Sequence, residues 1–219
     1  MKARANALQR WIPFLLVGLI LPITGCVGMV AHALYVIKGD KIPAAYEGME
    51  QKRVAVVCSS VSPANGPTSP SGMIARQVST ILQSRIDDID VVRQEEIADW
   101  IDRNDWDEID YTEIGRGVNA DLLLLLDVQS FSIRDGQTLY KGRATVQTTV
   151  FDIQDRGKVA YQADTFDFTF PENGAKHTTE TNEASFRRAY IGALSRHLAK
   201  EFFAYEKSED FAHDASLIR

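Results

Sequence analysis

The sequence predicts an α+β fold with a mixed sheet, and three patterns predict it. The first is a β-branched run, Val54-Ala55-Val56-Val57-Cys58, then a loop, an amphipathic stretch and a brief second run at Val91-Val92. Strand, helix and strand in that order read as a parallel β-α-β start. The second is the stretch from Ala120 to Phe170, which turns at Asp135-Gly136 and again at Asp155-Arg156-Gly157. It reads as an antiparallel three-strand meander. The third is a closing helix over about 182–205 with an apolar stripe through Phe186, Tyr190, Leu194, Leu198 and Phe202. The order β-α-β-α-α-β-β-β-α places helices on one sheet face and leaves the other to solvent or a partner.

Residues 1–25 precede all of this and read as an export leader. Lys2, Arg4 and Arg10 make a basic start, and Trp11 to Leu21 is an apolar core too short to span a bilayer, which takes about 20 apolar residues. The alternative is an uncleaved signal anchor, because no charged residue occurs from Trp11 to Ile37. Either way the basic end stays inside and the rest of the chain lies outside the cytoplasm. Residues 26–52 read as an apolar segment and spacer, punctuated by Gly39, Pro43 and Gly48.

The domain proper is expected over 53–205. Residues 59–72 read as a Ser/Pro/Gly-rich loop, and Ser71 as the cap of a helix that buries Ile74, Val78, Ile81, Leu82 and Ile86. Asp87 and Asp88 end it. Residues 94–103 form a short helix burying Ile97, Trp100 and Ile101. Asp110 with Glu113 three positions on reads as a capping box for a third helix, ended by Gly115 and Gly117. In the meander, Phe166, Phe168 and Phe170 alternate onto one face, which something must cover. The tail, 206–219, is polar and expected to fray.

Composition bounds the function. The 219 residues are 45% hydrophobic and 25% charged, which excludes collagen, low-complexity disorder and a multi-span membrane protein. The net charge is −6, and the leader holds three basic residues and no acid, so the remainder is more acidic still. Such a body repels phosphate backbones, and no nucleic-acid partner is expected. Two cysteines exclude a disulfide framework.

Ile23-Thr24-Gly25-Cys26 closes the leader with an aliphatic residue, two small ones and a cysteine. This resembles the lipobox of bacterial lipoproteins. The resemblance implies a diacylglycerol thioether on Cys26, removal of residues 1–25, acylation of the new amino end, and a membrane partnership through that anchor. Val27, where enterobacterial inner-membrane lipoproteins carry aspartate, points by the same resemblance to the outer membrane. Two further segments sharpen it. Arg53-Val54-Ala55-Val56-Val57 opens the domain, and Glu113 to Leu124 follows a "helix, Gly-Ala-Asp, strand" passage with Asn119 in place of the glycine. With the final helix around Phe186-Arg187-Arg188-Ala189-Tyr190, these are similar to the envelope group of the TolB amino-terminal domain, CsgG, LpoB and PelC. The resemblance covers most of 53–203. It implies a non-enzymatic role in envelope assembly, export or partner activation, through an envelope protein or self-association. Lys141 and Arg143 interrupt any lipid-facing alternation in strand 139–153, so a pore is not expected.

No reaction signature accompanies this. The loop 59–72 joins a strand to a helix amino end, a place suited to anions, and Ser59, Ser60 and Ser71 are the candidate ligand residues there. It lacks the glycine patterns of phosphate loops, and its prolines remove N–H donors, so a plain surface loop is the favoured reading. Asp102, Asp105, Asp107, Glu108 and Asp110 lack the spacing and glycine of a calcium loop. His32, His177, His197 and His213 are scattered, and neither a metal nor a cofactor is called for. Nucleophile motifs of hydrolases and transpeptidases are missing. Cys58 reads as an inert packed thiol, and Trp100, Trp106 and the Phe166–Phe170 row as core or as a partner surface.

Overall fold

In the computed structural model, residues 41–60, 69–104 and 110–206 are described. The chain divides into two units, Met1–Ile42 with Glu206–Arg219, and Pro43–Tyr205. Of the first, only Lys41, Ile42 and Glu206 fall among the described residues. The second holds the main sheet and the helices.

This sheet grows from β1 (Arg53–Ser60), flanked in parallel by β2 (Asp90–Val91) and β3 (Leu122–Asp135). The run of five leucines settles as strand because every position has a use: Leu122, Leu124 and Leu126 pair with Val54, Val56 and Cys58, and Leu123 and Leu125 with Ala55 and Val57. Both faces of this parallel half are buried, the condition under which a strand reads as continuously apolar. β4 (Leu139–Asp152) runs antiparallel to β3, and two β-bulges shift their register. The third meander strand is broken. Lys158–Gln162 (β5) and Phe166–Phe170 (β6) pair separately with the two halves of β4, and a short β7 (Lys176–His177) follows.

The α+β class and the mixed sheet are as the sequence indicates. The helical cover departs from the expected single face. The long helices α1 (Pro70–Arg85) and α4 (Glu183–Ala199) share one layer and pack on each other. The short α2 (Gln94–Asn104) and α3 (Tyr111–Gly117) bury Ile97 and Ile114 with Val92, Val118, Ala55 and Leu123. Ala55 and Leu123 alternate with Val54 and Leu122 and so face the opposite side. A parallel crossover needs a connection over the sheet, and two crossovers leaving β1's neighbourhood in opposite senses cover both faces. The antiparallel half keeps its second face polar, with Ser130, Thr145 and Asp167 hydrogen-bonded in a row.

Local details also depart from expectation. Gly115 and Gly117 lie inside α3 rather than past its end. They are there for close approach: a Cβ on Gly115 would sit 2.7 Å from Ile153, and one on Gly117 would strike the Trp100 indole. The left-handed residue after the helix is Asn119, at φ 53°. The Phe166, Phe168 and Phe170 row is covered by α4, through His197, Tyr190 and Phe186. That helix ends at Ala199 and passes into a 3-10 turn, Lys200–Phe202, short of the expected residue 205.

Candidate functional site

The carboxyl end of β1 opens into a cavity of about 560 Å³ between the start of α1 and the body of α2. Val57, Ile97 and Ile101 give it an apolar floor, and Ser59, Ser60, Ser69 and Ser71 line it with hydroxyls. The three serines singled out in sequence are thus gathered, but from different elements than expected. Ser59 and Ser60 are the last residues of β1, paired with Asp127 and Val128, because β3 is long enough to extend the ladder. Ser71 is the second residue of α1 and not its cap. The cap is Ser69, since Pro70 suits the first helical position, where no N–H is needed.

That cap engages part of the donor set at the helix start. The Gly72 N–H donates to Ser69 Oγ at 3.1 Å and the Met73 N–H to the Ser69 carbonyl at 2.9 Å, and Pro70 has no N–H. Ser69 and Ser71 hydroxyls, both buried, bond each other at 2.9 Å. Across the cavity, Gln94 Nε2 donates to the Val56 carbonyl at 3.0 Å and to Ser79 Oγ at 3.2 Å, which fixes α2 against β1 and α1. The charges on the lining are Arg76, Glu95, Asp99 and Asp102. Arg76 is spent on Glu95 at 3.2 Å. Glu95, Asp99 and Asp102 follow one another at helical spacing, a stripe legible in the sequence but missed there, as were Ser69 and Gln94.

Cys58 borders the same cavity, half-buried. Burial, with Asp127 adding to it, pushes its thiol up to about 12, so it stays protonated and is a poor nucleophile at neutral pH. The arrangement is suited to recognition by shape, hydroxyls and charge. The remaining sequence candidates fall elsewhere. His197 packs its ring against Phe166 and Phe168, and burial, then Lys200, lowers its pKa. His177 bonds Thr179 at 2.8 Å. Trp100 lies over Gly117 in the α2–α3 packing. Asp110 caps α3, holding the Thr112 N–H at 2.9 Å, and Asp102 lies on α2. Ile23, Thr24, Gly25, Cys26, His32, Asp105, Trp106, Asp107, Glu108 and His213 lie outside the described residues.

No family model matches the sequence, and no curated protein matches it significantly. Solved structures of similar fold exist at low identity. The hypothetical protein CT253 from Chlamydia trachomatis is 15% identical with a TM-score of 0.45, covering 68% of this chain and 91% of that one. A PelC dodecamer from Paraburkholderia phytofirmans is 14% identical with a TM-score of 0.43, covering 74% and 94%. Lipoprotein GNA1162 from Neisseria meningitidis is 12% identical with a TM-score of 0.43, covering 67% and 97%. PelC is thus among the matches, as it was among the proteins the sequence resembles. Likeness at this level carries no argument about activity.

Proposed function

We propose that this is a non-enzymatic, lipid-anchored protein on the periplasmic face of the cell envelope, acting in assembly, export or partner activation by contact with another protein or with itself. The observation that carries this reading is the leader: a basic start, a short apolar core and Ile23-Thr24-Gly25-Cys26. A single acyl chain binds membranes only marginally, and each buried CH₂ adds about 0.8 kcal/mol, so the two or three chains of a processed lipobox cysteine give a stable tether. Val27 supports the outer membrane as its address. An acidic body suits this role, because it does not adhere to anionic lipid on its own. Among the described residues, no helix is long and apolar enough to cross a membrane.

Metabolic labelling with palmitate tests it. The natural chain should take up label and run at the mass of a chain beginning at residue 26. Cys26→Ala should take up none and retain its leader. Equal labelling of the two, or an unmodified Cys26 thiol by mass spectrometry, would overturn the anchor. A signal-anchored single span is the rival outcome. The cavity at the end of β1 favours a second reading, a small-molecule sensor.

A further inference from the structure

Part of the segment between the leader and β1 belongs to the folded body, whose unit starts at Pro43. Residues 44–48 lie as a strap on the 3-10 turn that follows α4. The N–H groups of Ala45 and Tyr46 both donate to the Glu201 carbonyl, at 2.8 and 3.0 Å. The Tyr46 ring packs 5.5 Å from Tyr161 of β5 and, edge on, 6.5 Å from Phe202, and those two rings meet at 6.2 Å. Gly48 lies against the same tyrosine, where a Cβ would collide with the ring. Met49 is buried, so the far end of the strap is pinned. The strap itself is lightly held: Ala45, Glu47 and Gly48 are exposed, and Ala44 and Tyr46 are half-buried. A segment with so few buried contacts opens at a lower free energy than the body it rests on.

The residue that receives the strap also carries a half-buried carboxyl. Glu201 Oε2 accepts from Tyr161 Oη at 3.4 Å, and Tyr161 is the ring on which Tyr46 rests. Around that carboxyl stand Tyr161 from β5, with Asp164 acting on it, and Tyr46 from the strap, with Asp152 of β4 acting on it. Lys200, on the same turn, lays its ammonium over the Tyr205 ring. Among the described residues no cation pairs with Glu201. We propose that residues 44–48 are a proton-controlled strap, docked while Glu201 is protonated and released when it ionises. A carboxylate without a cation is costly to keep from water, and lifting Tyr46 off Tyr161 admits water to it. Burial raises this carboxyl to about 7, so docking takes up a proton. The docking constant is therefore highest below about pH 4.5 and falls as pH rises through 7. Release adds at most about 20 Å to the tether, at about 3.5 Å per residue. Only this last consequence rests on a lipidated Cys26; docking holds or fails without it.

The test is amide hydrogen exchange of the detergent-solubilised full chain between about pH 5 and pH 8, corrected for the intrinsic exchange rate at each pH. Protection of Ala45 and Tyr46 should fall by about tenfold from the acid to the alkaline end, and should stay well below that of Leu194 and Leu198 in α4 at every pH. The isosteric Glu201→Gln should hold the acid-side protection across the whole range, with α4 still protected as a check that the fold is intact. Tyr46→Ala should remove the protection of Ala45 at every pH and leave α4 protected, because the strap opens without the body. No protection of Ala45 and Tyr46 at the acid end, protection that does not change with pH, a fall that survives Glu201→Gln, or strap amides as protected as those of α4 would each overturn the proposal.

Discussion

Asn119 answers for the glycine it replaces. At φ 53° a side chain is strained, and asparagine is the residue that best tolerates this after glycine. Asn119→Gly should therefore leave the melting temperature within a few degrees, and Asn119→Val should lower stability by about 1–2 kcal/mol in urea denaturation. The neighbouring Asp121 is structural too. Its Oδ2 accepts the Arg53 N–H at 2.8 Å while its own N–H reaches the Arg53 carbonyl at 2.7 Å. Glu201 behaves differently. Burial raises its carboxyl to about 7, with Tyr161 Oη only loosely bonded at 3.4 Å. A carboxyl raised in the folded state holds its proton when the unfolded chain has lost it. Stability from this group is complete below about pH 4.5 and declines as pH rises through 7. Glu201→Gln should remove that decline, about 1–2 kcal/mol after allowing for partial exposure, in unfolding curves compared between pH 5 and 8.

Between elements, the contacts that matter are close approaches and one charged clamp. β4 and α4 meet where Gly142 faces Tyr190; a Cβ there would lie 2.5 Å from the ring. Tyr190 cannot move aside, because Phe131 stacks on it at 5.0 Å and Phe168 and Phe170 both at 6.2 Å. Gly142→Ala should cost about 2–3 kcal/mol, read as a shifted denaturation midpoint with unchanged slope. The Tyr190 hydroxyl is buried without a hydrogen bond among the described residues, and burial raises its pKa. Tyr190→Phe should therefore be neutral or stabilising by up to about 1 kcal/mol in the same measurement. Arg53 ties the parallel half together, reaching Asp90 at 2.6 Å, Glu96 at 2.8 Å and the Val118 carbonyl at 3.3 Å. The opening motif Arg53-Val54-Ala55-Val56-Val57 is thereby accounted for by architecture: its apolar members fill both faces and its arginine clamps three elements.

For the molecule as a whole, the decisive prediction concerns attachment. Replacing residues 1–26 by a cleavable leader without a cysteine should release the protein into the periplasm, and its denaturation midpoint should equal that of the lipidated chain. Continued membrane association would assign the anchor to the apolar residues after 26. The acidic body was legible in sequence because charge depends on composition alone. The α+β class was legible because strand and helix periods differ, and the burial of Ile74, Val78, Leu82, Ile86 and Ile97 followed from spacing. The break between β5 and β6 was not legible, because it depends on how the long β4 divides its edge.

The chain's own order of residues determined the class of fold and which faces of its helices turn inward, since each is a matter of near neighbours and period. Only the tertiary structure decided that both sheet faces would be covered, that Gly115 and Gly117 serve packing, and that Ser59, Ser71 and Asp99 would border one cavity. Those facts join residues far apart in the chain, and their positions follow from the direction in which each crossover leaves the sheet.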